Sequence, residues 1–382
     1  MDSGIQPFDS DGQGGGNRAD GGGGRDGGGS PGPTCEPFTP GEAVQAPANS
    51  WTWIGVPEAK CRNGSSSGFG VRLKPGSKKL FIYLQGGGAC FNGTTCLGNP
   101  SAFGASNFTG WKGTQGNAGI MNDGNANNPV KDWNAVFVPY CSGDIFNGSA
   151  PSSNVPGGGP RDQAFLGVSN TLAYLKRIVP TFPEVDQVLL TGSSAGGFGA
   201  ASNYDRVAQA FCPRPVVMVD DAGPVMSDTY LAPCLQKRFR SVWNLTAGLP
   251  AGCAACTDPV TGGGLVNAVP FLTAKYPRGR FGLISGDQDS VIRLFMAFGN
   301  DDCRNVDGAP SDYDGAKFAR GLADLRDKYL KPAPNAGTYY VGTTSHTFLA
   351  SSAFYSTTVK GVPLTKWMGD LIKGEPPTHV AP

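Results

Sequence analysis

Histidine is scarce in this sequence, with only His346 and His379 among 382 residues. A catalytic metal site normally draws on several histidines, or on cysteines and carboxylates at matching spacing. The scarcity therefore argues against a metal-dependent enzyme, and we expect neither a metal ion nor a cofactor. It also restricts any histidine-based catalysis to two candidate side chains.

Concentrated positive charge and long apolar runs are missing as well. The formal net charge is +1 and no cluster of lysine and arginine occurs, so a nucleic-acid partner is not expected, because phosphate binding needs concentrated positive charge. No apolar run approaches the length needed to span a bilayer. No signal peptide is recognisable, and we interpret Met1 and the glycine-rich stretch behind it as the start of a chain trimmed of its export signal.

Glycine, by contrast, is abundant, with 58 residues, and much of it lies at the front of the chain. Residues 1–34 contain few large apolar side chains, so they cannot bury enough surface to offset the entropy lost on ordering. We therefore predict a flexible tether over 1–34 and a single catalytic domain over 35–382. We expect this domain to be a monomer.

The ten cysteines are an even number and predict disulfides in an exported, oxidising location. Cys253-Ala-Ala-Cys256 has a zinc-like spacing, but no second pair of this kind accompanies it. Glycosylation sequons agree with export. Their asparagines are Asn63, Asn92, Asn107, Asn147 and Asn244.

Short apolar runs between turn residues alternate with helical patterns. We predict helices over 163–178 with Pro180 as a stop, over 197–210 and over 316–330, and a loop insertion held by cysteines over 86–133. Such alternation predicts a mostly parallel sheet with helices on both faces. The predicted strands are 51–56, 69–73, 80–84, 135–138, 188–190, 216–219, 281–284 and 338–341.

A candidate nucleophile lies between the predicted strand 188–190 and the helix after it. Residues 192–196 fit the pattern G-x-S-x-G with Ser194 at the centre, and Ser193 is one residue off this frame. The pattern marks a tight, strained turn that exposes the serine at the carboxyl end of a sheet. The alternative is an ordinary glycine-rich turn, but the flanking strand and helix favour Ser194 as a nucleophile.

In this type of fold, the base and the acid that assist the serine are expected on the loops that follow the last two predicted strands. His346 follows the strand 338–341, whereas His379 lies in a proline-rich tail with no predicted element to hold it. We therefore predict His346 as the base, and we expect activity to fall in acid. Asp289 is preferred over Asp287 as the carboxylate that orients this histidine, and Asp287 is the candidate cap of a helix starting near Ser290. Either aspartate has the alternative of a capping role alone.

Glycines after the strand 80–84 predict an oxyanion hole. Backbone N–H groups of Gly87 and Gly88 can turn towards a ligand without obstruction by a Cβ atom, and the N–H of Ala195 can join them. Similar glycine runs occur elsewhere in the chain. The position directly after a strand distinguishes this one.

Taken together, these blocks resemble the pectin acetylesterase/Notum family of secreted serine carboxylesterases. The resemblance implies an α/β-hydrolase fold with disulfide-stapled loops, a triad of Ser194, Asp289 and His346, and a Cys90–Cys96 disulfide. The blocks that carry it are 83–92 with Cys96, 138–144, 192–197 with Asn203 and Asp205, 219–223, 288–290 and 345–346.

Two departures from the family pattern affect the acyl site. Gly88-Ala89 stands where the family has a tryptophan in the oxyanion loop, and Gln85 replaces a glutamate. We therefore expect a different roof over the acyl pocket. Neither palmitoleate nor pectin can be assigned to this chain from the resemblance.

The predicted function is a secreted or surface-tethered serine carboxylesterase. Its simplest partner is an acylated polysaccharide, with acetyl as the acyl group and pectin as an example. The alternatives are an esterase for a lipid-linked acyl group or a polyester, and an inactive surface module that binds carbohydrate. Reaction with a fluorophosphonate probe separates the enzyme from the binding module.

Overall fold

The computed structural model describes residues 34–382, which are built around a nine-stranded sheet and two two-stranded sheets. Apart from Thr34, the predicted tether lies outside the described residues. All eight predicted strands are confirmed. The strands are β1 (Thr52–Lys60), β2 (Ser66–Arg72), β3 (Lys79–Leu84), β4 (Asn134–Val138), β5 (Ala150–Ser153), β6 (Gln163–Phe165), β7 (Gln187–Ser193), β8 (Val216–Asp221), β9 (Arg280–Gly286), β10 (Ala336–Val341), β11 (Thr358–Val359), β12 (Val362–Pro363) and β13 (His379–Val380).

The large sheet has the order β1-β2-β4-β3-β7-β8-β9-β10-β13. Its first two strands pair antiparallel, and β2 pairs antiparallel with β4, whereas all pairs from β4 to β13 are parallel. Parallel neighbours need crossover connections, and helices supply most of them here. The mostly parallel sheet flanked by helices confirms the prediction of an α/β-hydrolase type of fold.

Helices cover the sheet on both faces. Within residues 34–382, no helix is both long enough and apolar enough to cross a membrane. The helices are α1 (Gly93–Leu97), α2 (Ala105–Gly113), α3 (Gly167–Thr181), α4 (Ala195–Ala210), α5 (Pro233–Trp243), α6 (Ala268–Lys275), α7 (Ser290–Ala297), α8 (Asn300–Cys303), α9 (Gly315–Leu325), α10 (Ala353–Ser356) and α11 (Leu364–Lys373).

Alternation along the buried strands divides the core into two layers. In β7, Val188 and Leu190 belong to one hydrophobic cluster, and Leu189 belongs to the other. This is the period of two that a strand imposes on its side chains. Because both faces are covered, the central strands read in the sequence as continuous apolar runs.

The prediction of a helix over 163–178 is wrong at both ends. Residues Gln163–Phe165 form β6, because their backbone pairs with β5 and the N–H of Ala164 donates to the Arg62 carbonyl. The helix continues past Pro180 to Thr181. Proline at 180 leaves the carbonyl of Lys176 without its helical donor, and the N–H of Gly41 donates to that carbonyl at 2.8 Å.

The segment 86–133, predicted as a loop insertion, contains the helices α1 and α2, so the prediction of a loop is wrong for these residues. The sequons of the chain differ in exposure: Asn63, Asn107 and Asn244 are exposed, whereas Asn92 and Asn147 are buried. The Asn92 side chain caps α1 by accepting from the N–H of Thr95 at 2.7 Å.

The predicted disulfides are confirmed. Five are present and leave no free cysteine in the described part of the chain. The Cys90–Cys96 pair is among them, and Cys253 bonds to Cys256, which excludes zinc binding by this pair. The remaining pairs are Cys35–Cys212, Cys61–Cys141 and Cys234–Cys303.

Candidate active site

Ser194 lies on a sharp turn between β7 and α4. Its backbone has φ of 61° and ψ of −121°, a strained conformation for a residue with a side chain. The turn requires glycine on both sides, because a Cβ atom at Gly192 or Gly196 would overlap the carbonyl oxygen of Leu84. The G-x-S-x-G pattern therefore has a steric cause here, and it places Ser194 at the carboxyl end of the sheet.

Ser193 is directed to the interior and not to the site. Its hydroxyl donates to Asp221 Oδ2 at 2.6 Å and accepts from the Tyr83 hydroxyl at 2.9 Å. Both hydrogen-bonding roles of this hydroxyl are thus occupied within the protein. Of the two adjacent serines, only Ser194 is placed to act as a nucleophile.

His346 and Asp289 form a hydrogen-bonded pair. His346 Nδ1 donates to Asp289 Oδ2 at 2.7 Å, and Asp289 is fully buried. This bond fixes the tautomer that leaves Nε2 free to accept a proton. The structure thus brings the predicted base and the preferred acid together.

Asp289 also caps α7, since its Oδ1 accepts from the N–H groups of Val291 and Ile292 at 2.9 Å. The prediction that Asp287 caps this helix is wrong. Asp287 Oδ1 accepts instead from the N–H of Thr343 at 3.0 Å, which joins the turn after β9 to the segment that leads to His346. Capping and orienting the histidine are two functions of one carboxylate.

Ser194 and His346 are not hydrogen-bonded to each other within the described residues. Bonds between nucleophile and base are often looser in unliganded sites and tighten when the substrate binds. The two side chains follow β7 and β10, whose carboxyl ends lie on the same edge of the sheet.

Of the predicted oxyanion donors, Gly88 and Ala195 line the same cavity as Ser194, and Gly87 directly precedes Gly88. In the part of the chain from 34 to 382, the N–H groups of Gly87, Gly88 and Ala195 donate no hydrogen bond to another protein atom. Gly88 has φ of +77°, a conformation that favours glycine. Free backbone donors at a helix N-terminus and an adjacent loop are what an oxyanion needs.

The oxyanion loop, the segment after β3 that carries Gly87 and Gly88, is held by side chains that were not predicted from the sequence. Asn99 Nδ2 donates to the Gly87 carbonyl at 2.8 Å, and Asn99 Oδ1 accepts from Arg62 Nε at 3.1 Å. The Arg62 guanidinium also donates to Gln163 Oε1 and to the carbonyls of Cys96 and Asn99, and burial lowers its pKa. These partners are distant in sequence, so no local pattern indicated them.

Asp221, at the end of β8, also supports the site and was not predicted as a site residue. Its carboxylate accepts from Ser193 and from the N–H groups of Phe348 and Leu349, at 2.6 to 3.0 Å. Its carbonyl accepts from the N–H of Ser194 at 2.7 Å. Burial raises the pKa of the Asp221 carboxyl, against the opposing effect of these hydrogen bonds. Two adjacent aspartates at the end of a buried strand are the signal that could have found it.

The structure places His379 on a strand, whereas the sequence predicted that it lies in a tail without secondary structure. It lies on β13, which pairs with β10 at Thr338, and its Nδ1 is 3.1 Å from Thr338 Oγ1. The expectation that no element holds this tail is wrong, because β13 forms the edge of the large sheet. Burial lowers the pKa of His379.

An apolar cavity of about 90 Å³ opens at Ser194. Ser194, Ala195 and Gly88 are among the residues that line it, so the candidate nucleophile and two of the three free backbone donors border the same space. A Cβ atom on Gly88 would lie 3.2 Å from Phe295 Cζ, so the Phe295 ring borders the position at which the family pattern has a tryptophan. The rest of the wall is mostly aliphatic and aromatic: Ala89, Phe91, Ile145, Phe198, Val225, Leu231, Leu235, Phe239, Trp243, Leu265, Ile292 and Met296.

The described residues contain no cluster of three or more histidine, cysteine, aspartate or glutamate side chains arranged to hold a metal ion. The chemistry that this arrangement supports is nucleophilic attack by Ser194 with histidine assistance. Ser194, Gly88 and Ala195 line one cavity, whereas His346 is not among the residues that line it.

Comparisons with known proteins also point to carboxylesterases. The sequence model of a family described as pectinacetylesterase matches residues 50–261, which include Gly87, Gly88, Ser194 and Ala195, whereas Asp289 and His346 lie beyond the match. The chain is similar to palmitoleoyl-protein carboxylesterase notum2 of Xenopus laevis, at 35% identity over 153 residues, 39% of this chain and 30% of that protein.

Two further relatives are palmitoleoyl-protein carboxylesterases named NOTUM. That of Mus musculus is 33% identical over 39% of this chain and 29% of its own length, and that of Drosophila melanogaster is 28% identical over 50% and 31%. The matched part of this chain therefore spans only about three-tenths of the length of these curated relatives, namely 30%, 29% and 31% in the order given.

Proposed function

This chain belongs to the pectinacetylesterase family, and we propose that it is a serine carboxylesterase with Ser194 as the nucleophile. One observation carries the proposal: Ser194 lies on a strained turn and lines an apolar cavity together with the free backbone donors of Gly88 and Ala195. A strained serine with unpaired donors next to it is costly to maintain and has a direct use in acyl transfer.

The reaction proceeds by two displacements. Ser194 Oγ attacks the ester carbonyl carbon while His346 Nε2 takes the hydroxyl proton, and Asp289 stabilises the imidazolium through Nδ1. The N–H groups of Gly87, Gly88 and Ala195 stabilise the oxyanion. Collapse expels the alcohol, which receives the proton from His346 and leaves an acyl-enzyme. Water, deprotonated by His346, then releases the carboxylic acid and restores Ser194.

The cavity wall favours a hydrophobic acyl group. Almost all side chains around it are apolar, and their burial against an alkyl chain contributes about 25 cal/mol for each Å² of apolar surface removed from water. The second candidate is removal of acetyl groups from a polysaccharide such as pectin, which the description of the family supports.

Location is part of the proposal. Five disulfides are typical of an extracellular protein, and we place this one outside the cell. Tethering through residues 1–34 and a monomeric catalytic domain remain predictions.

Replacement of the nucleophile tests the mechanism. We expect Ser194→Ala to lower kcat for p-nitrophenyl butyrate by about 10⁴-fold or more, because the covalent route is lost. The variant should also fail to react with a fluorophosphonate probe. Ser241→Ala, at an exposed serine of α5, is the matched control and should retain both properties. Undiminished hydrolysis by Ser194→Ala would reject Ser194 as the nucleophile.

A further inference from the structure

A polar cleft lies behind one wall of the apolar cavity that Ser194 lines. Its volume is about 360 Å³, against about 90 Å³ for that cavity. Met296 lines both spaces, whereas Leu231 lines the apolar cavity and its chain neighbours Tyr230 and Ala232 line the cleft. The two spaces therefore lie back to back. The polar character of the cleft comes from Thr229, Tyr230, Asn300, Asp301, Asp312 and Lys317.

Helix α7 connects the cleft to the candidate catalytic acid. The helix begins directly after Asp289 and ends at Ala297, so it is about 12 Å long at 1.5 Å per residue. Gly299 and Asn300, which follow the helix, line the cleft. A ligand in the cleft thus lies about one helix length from the carboxylate that orients His346, and it does not enter the apolar cavity.

Contacts between separate segments hold the walls of the cleft in place. The Tyr313 hydroxyl donates to the Tyr230 carbonyl at 2.8 Å, and Asn300 Nδ2 donates to the Asp312 carbonyl at 3.1 Å. A disulfide joins α8, on which Asn300 lies, to α5. A cleft that is formed before its ligand arrives loses less conformational entropy when the ligand binds.

The cleft presents free acceptors and free donors above an apolar base. In the part of the chain that the structure describes, no group donates to the Asp301 carboxylate, and no carboxylate pairs with the Lys317 ammonium, which lies 4.5 Å from the centre of the Tyr313 ring. Met296 and Gly299 are buried and contribute apolar surface. A sugar ring has the complementary surface, because its hydroxyl groups both donate and accept while its faces carry C–H groups.

The charges of the cleft indicate which class of saccharide fits. Its lining has two carboxylates, Asp301 and Asp312, and one ammonium, Lys317. Arg293 pairs with Asp312 at 3.2 Å, which leaves the charges of Asp301 and Lys317 in balance. A balanced site gives a polyanion no net attraction, and Asp301 repels a carboxylate of the ligand. An uncharged sugar is therefore favoured over a uronate.

We propose that the polar cleft binds an uncharged saccharide unit and holds a neutral glycan chain, which carries the ester, beside the catalytic centre. The role of this glycan as the alcohol part of the substrate rests on the proposed function, whereas saccharide binding itself does not. The inference names the substrate class as a neutral acylated glycan, in preference to an acylated polygalacturonate.

Isothermal titration calorimetry with unesterified xylohexaose, mannohexaose and hexagalacturonate tests the binding. We expect a neutral hexasaccharide to bind the wild-type protein and hexagalacturonate to bind about tenfold more weakly. Asp301→Gly and Lys317→Met should each raise Kd for the neutral ligand by about tenfold, the effect of losing a hydrogen bond to a charged group. Glycine suits the backbone of residue 301, where φ is 50°, and methionine keeps an apolar stem against the Tyr313 ring.

Asp302→Gly is the matched control. Asp302 is exposed, has a similar left-handed backbone with φ of 53° and does not line the cleft. This variant should leave Kd unchanged, and melting temperatures show whether all three variants fold. With an acetylated neutral glycan as substrate, Asp301→Gly should raise KM by about the same factor as Kd, while kcat and the hydrolysis of p-nitrophenyl acetate stay at the wild-type level.

The possible results separate this inference from the proposed function. Absence of binding by both neutral hexasaccharides, or a Kd that neither Asp301→Gly nor Lys317→Met alters, overturns the inference and leaves the carboxylesterase intact. Equal or tighter binding of hexagalacturonate shows that the ligand class is wrong. A KM that stays constant while Kd rises shows that the bound glycan is not the substrate. Binding that depends on Asp301 and Lys317, in a protein that hydrolyses no ester, supports the saccharide site and overturns the proposed function.

Discussion

The Asp221 carboxylate connects the segment that carries Ser194 to the segment that carries His346. It accepts from the Ser193 hydroxyl on one side, and from the N–H groups of Phe348 and Leu349 on the other. Hydrogen bonds to a charged acceptor are stronger than neutral ones, and their geometry in a buried site is well defined. We predict that Asp221 is a positioning residue, which acts on catalysis through the proposed nucleophile Ser194 and the proposed base His346.

Replacement of Asp221 by asparagine should lower kcat by about 10²-fold with little change in KM, since small misplacements of reacting groups have effects of this size. An amide presents donors to N–H groups that need an acceptor, so the His346 segment loses its support. Ser193→Ala removes a single partner and should have a smaller effect in the same direction. Stopped-flow kinetics and the rate of phosphonylation of Ser194 measure the effect.

If Asp221 only stabilises the fold, a different result is expected. In that case the folded fraction and the melting temperature fall, while kcat per folded molecule and the rate of phosphonylation stay at the wild-type level. That result would show that Asp221 is not a positioning residue.

At the scale of elements, the oxyanion loop is held in place by contacts with residues outside the loop. The loop after β3 is joined to α1 by the Cys90–Cys96 disulfide, and Asn99 holds the Gly87 carbonyl. A carbonyl that is held in place fixes the peptide plane, and with it the direction of the next N–H. Asn99 therefore determines where the N–H of Gly88 points.

Two substitutions at Asn99 separate this role from simple packing. Asn99→Asp keeps an acceptor for Arg62 but cannot donate to the Gly87 carbonyl, and Asn99→Ala loses both. We expect both variants to lose about 10- to 100-fold in kcat, somewhat less than the loss of a direct oxyanion donor. If Asn99→Asp matches the wild-type kcat, the bond to Gly87 has no catalytic role.

For the whole molecule, buried acids make stability depend on pH. Asp220 lies inside the fold and accepts from the N–H of Gly223 at 2.7 Å. Burial, together with the neighbouring charge of Asp221, raises its pKa well above the ordinary value. The folded state therefore binds a proton that the unfolded chain has released. Its contribution to stability is present in acid and is lost as the pH rises towards the raised pKa.

Asp220→Asn should flatten this dependence. The amide oxygen can still accept from Gly223, but the residue no longer titrates. Between about pH 5 and pH 7, the free energy of unfolding should therefore decrease less with pH in the variant than in the wild type. Urea unfolding at both pH values measures the two slopes, and equal slopes would contradict the assignment.

Much of the sheet and three helices were predictable because their cause is local. A strand such as β7 is a continuous apolar run, and burial on both faces demands such a run. The end of α3 was not predictable, because the Lys176 carbonyl left free by Pro180 finds a donor at Gly41, 135 residues away (176 − 41). Tertiary contacts of this kind override a local stop signal.

The same distinction applies to the candidate site. Ser194, Asp289 and His346 follow predictable strands, and parallel strands bring their carboxyl ends to one edge of the sheet. Their supporting contacts were not predictable, since Asp221 bonds to Ser193 across 28 positions and to Phe348 across 127. The spacing of such partners depends on strand order, which a single sequence does not reveal.

The buried asparagines have a practical consequence for producing this protein. Asn92 caps α1 beside the oxyanion loop and has no exposed surface, although its sequence invites N-glycosylation. In a eukaryotic secretion host, oligosaccharide is attached to the chain as it emerges, before the fold can hide this side chain. A sugar on Asn92 cannot be accommodated by the native structure, so glycosylation there competes directly with folding. The choice of expression host therefore decides whether the segment next to the oxyanion loop can fold without a sugar on Asn92.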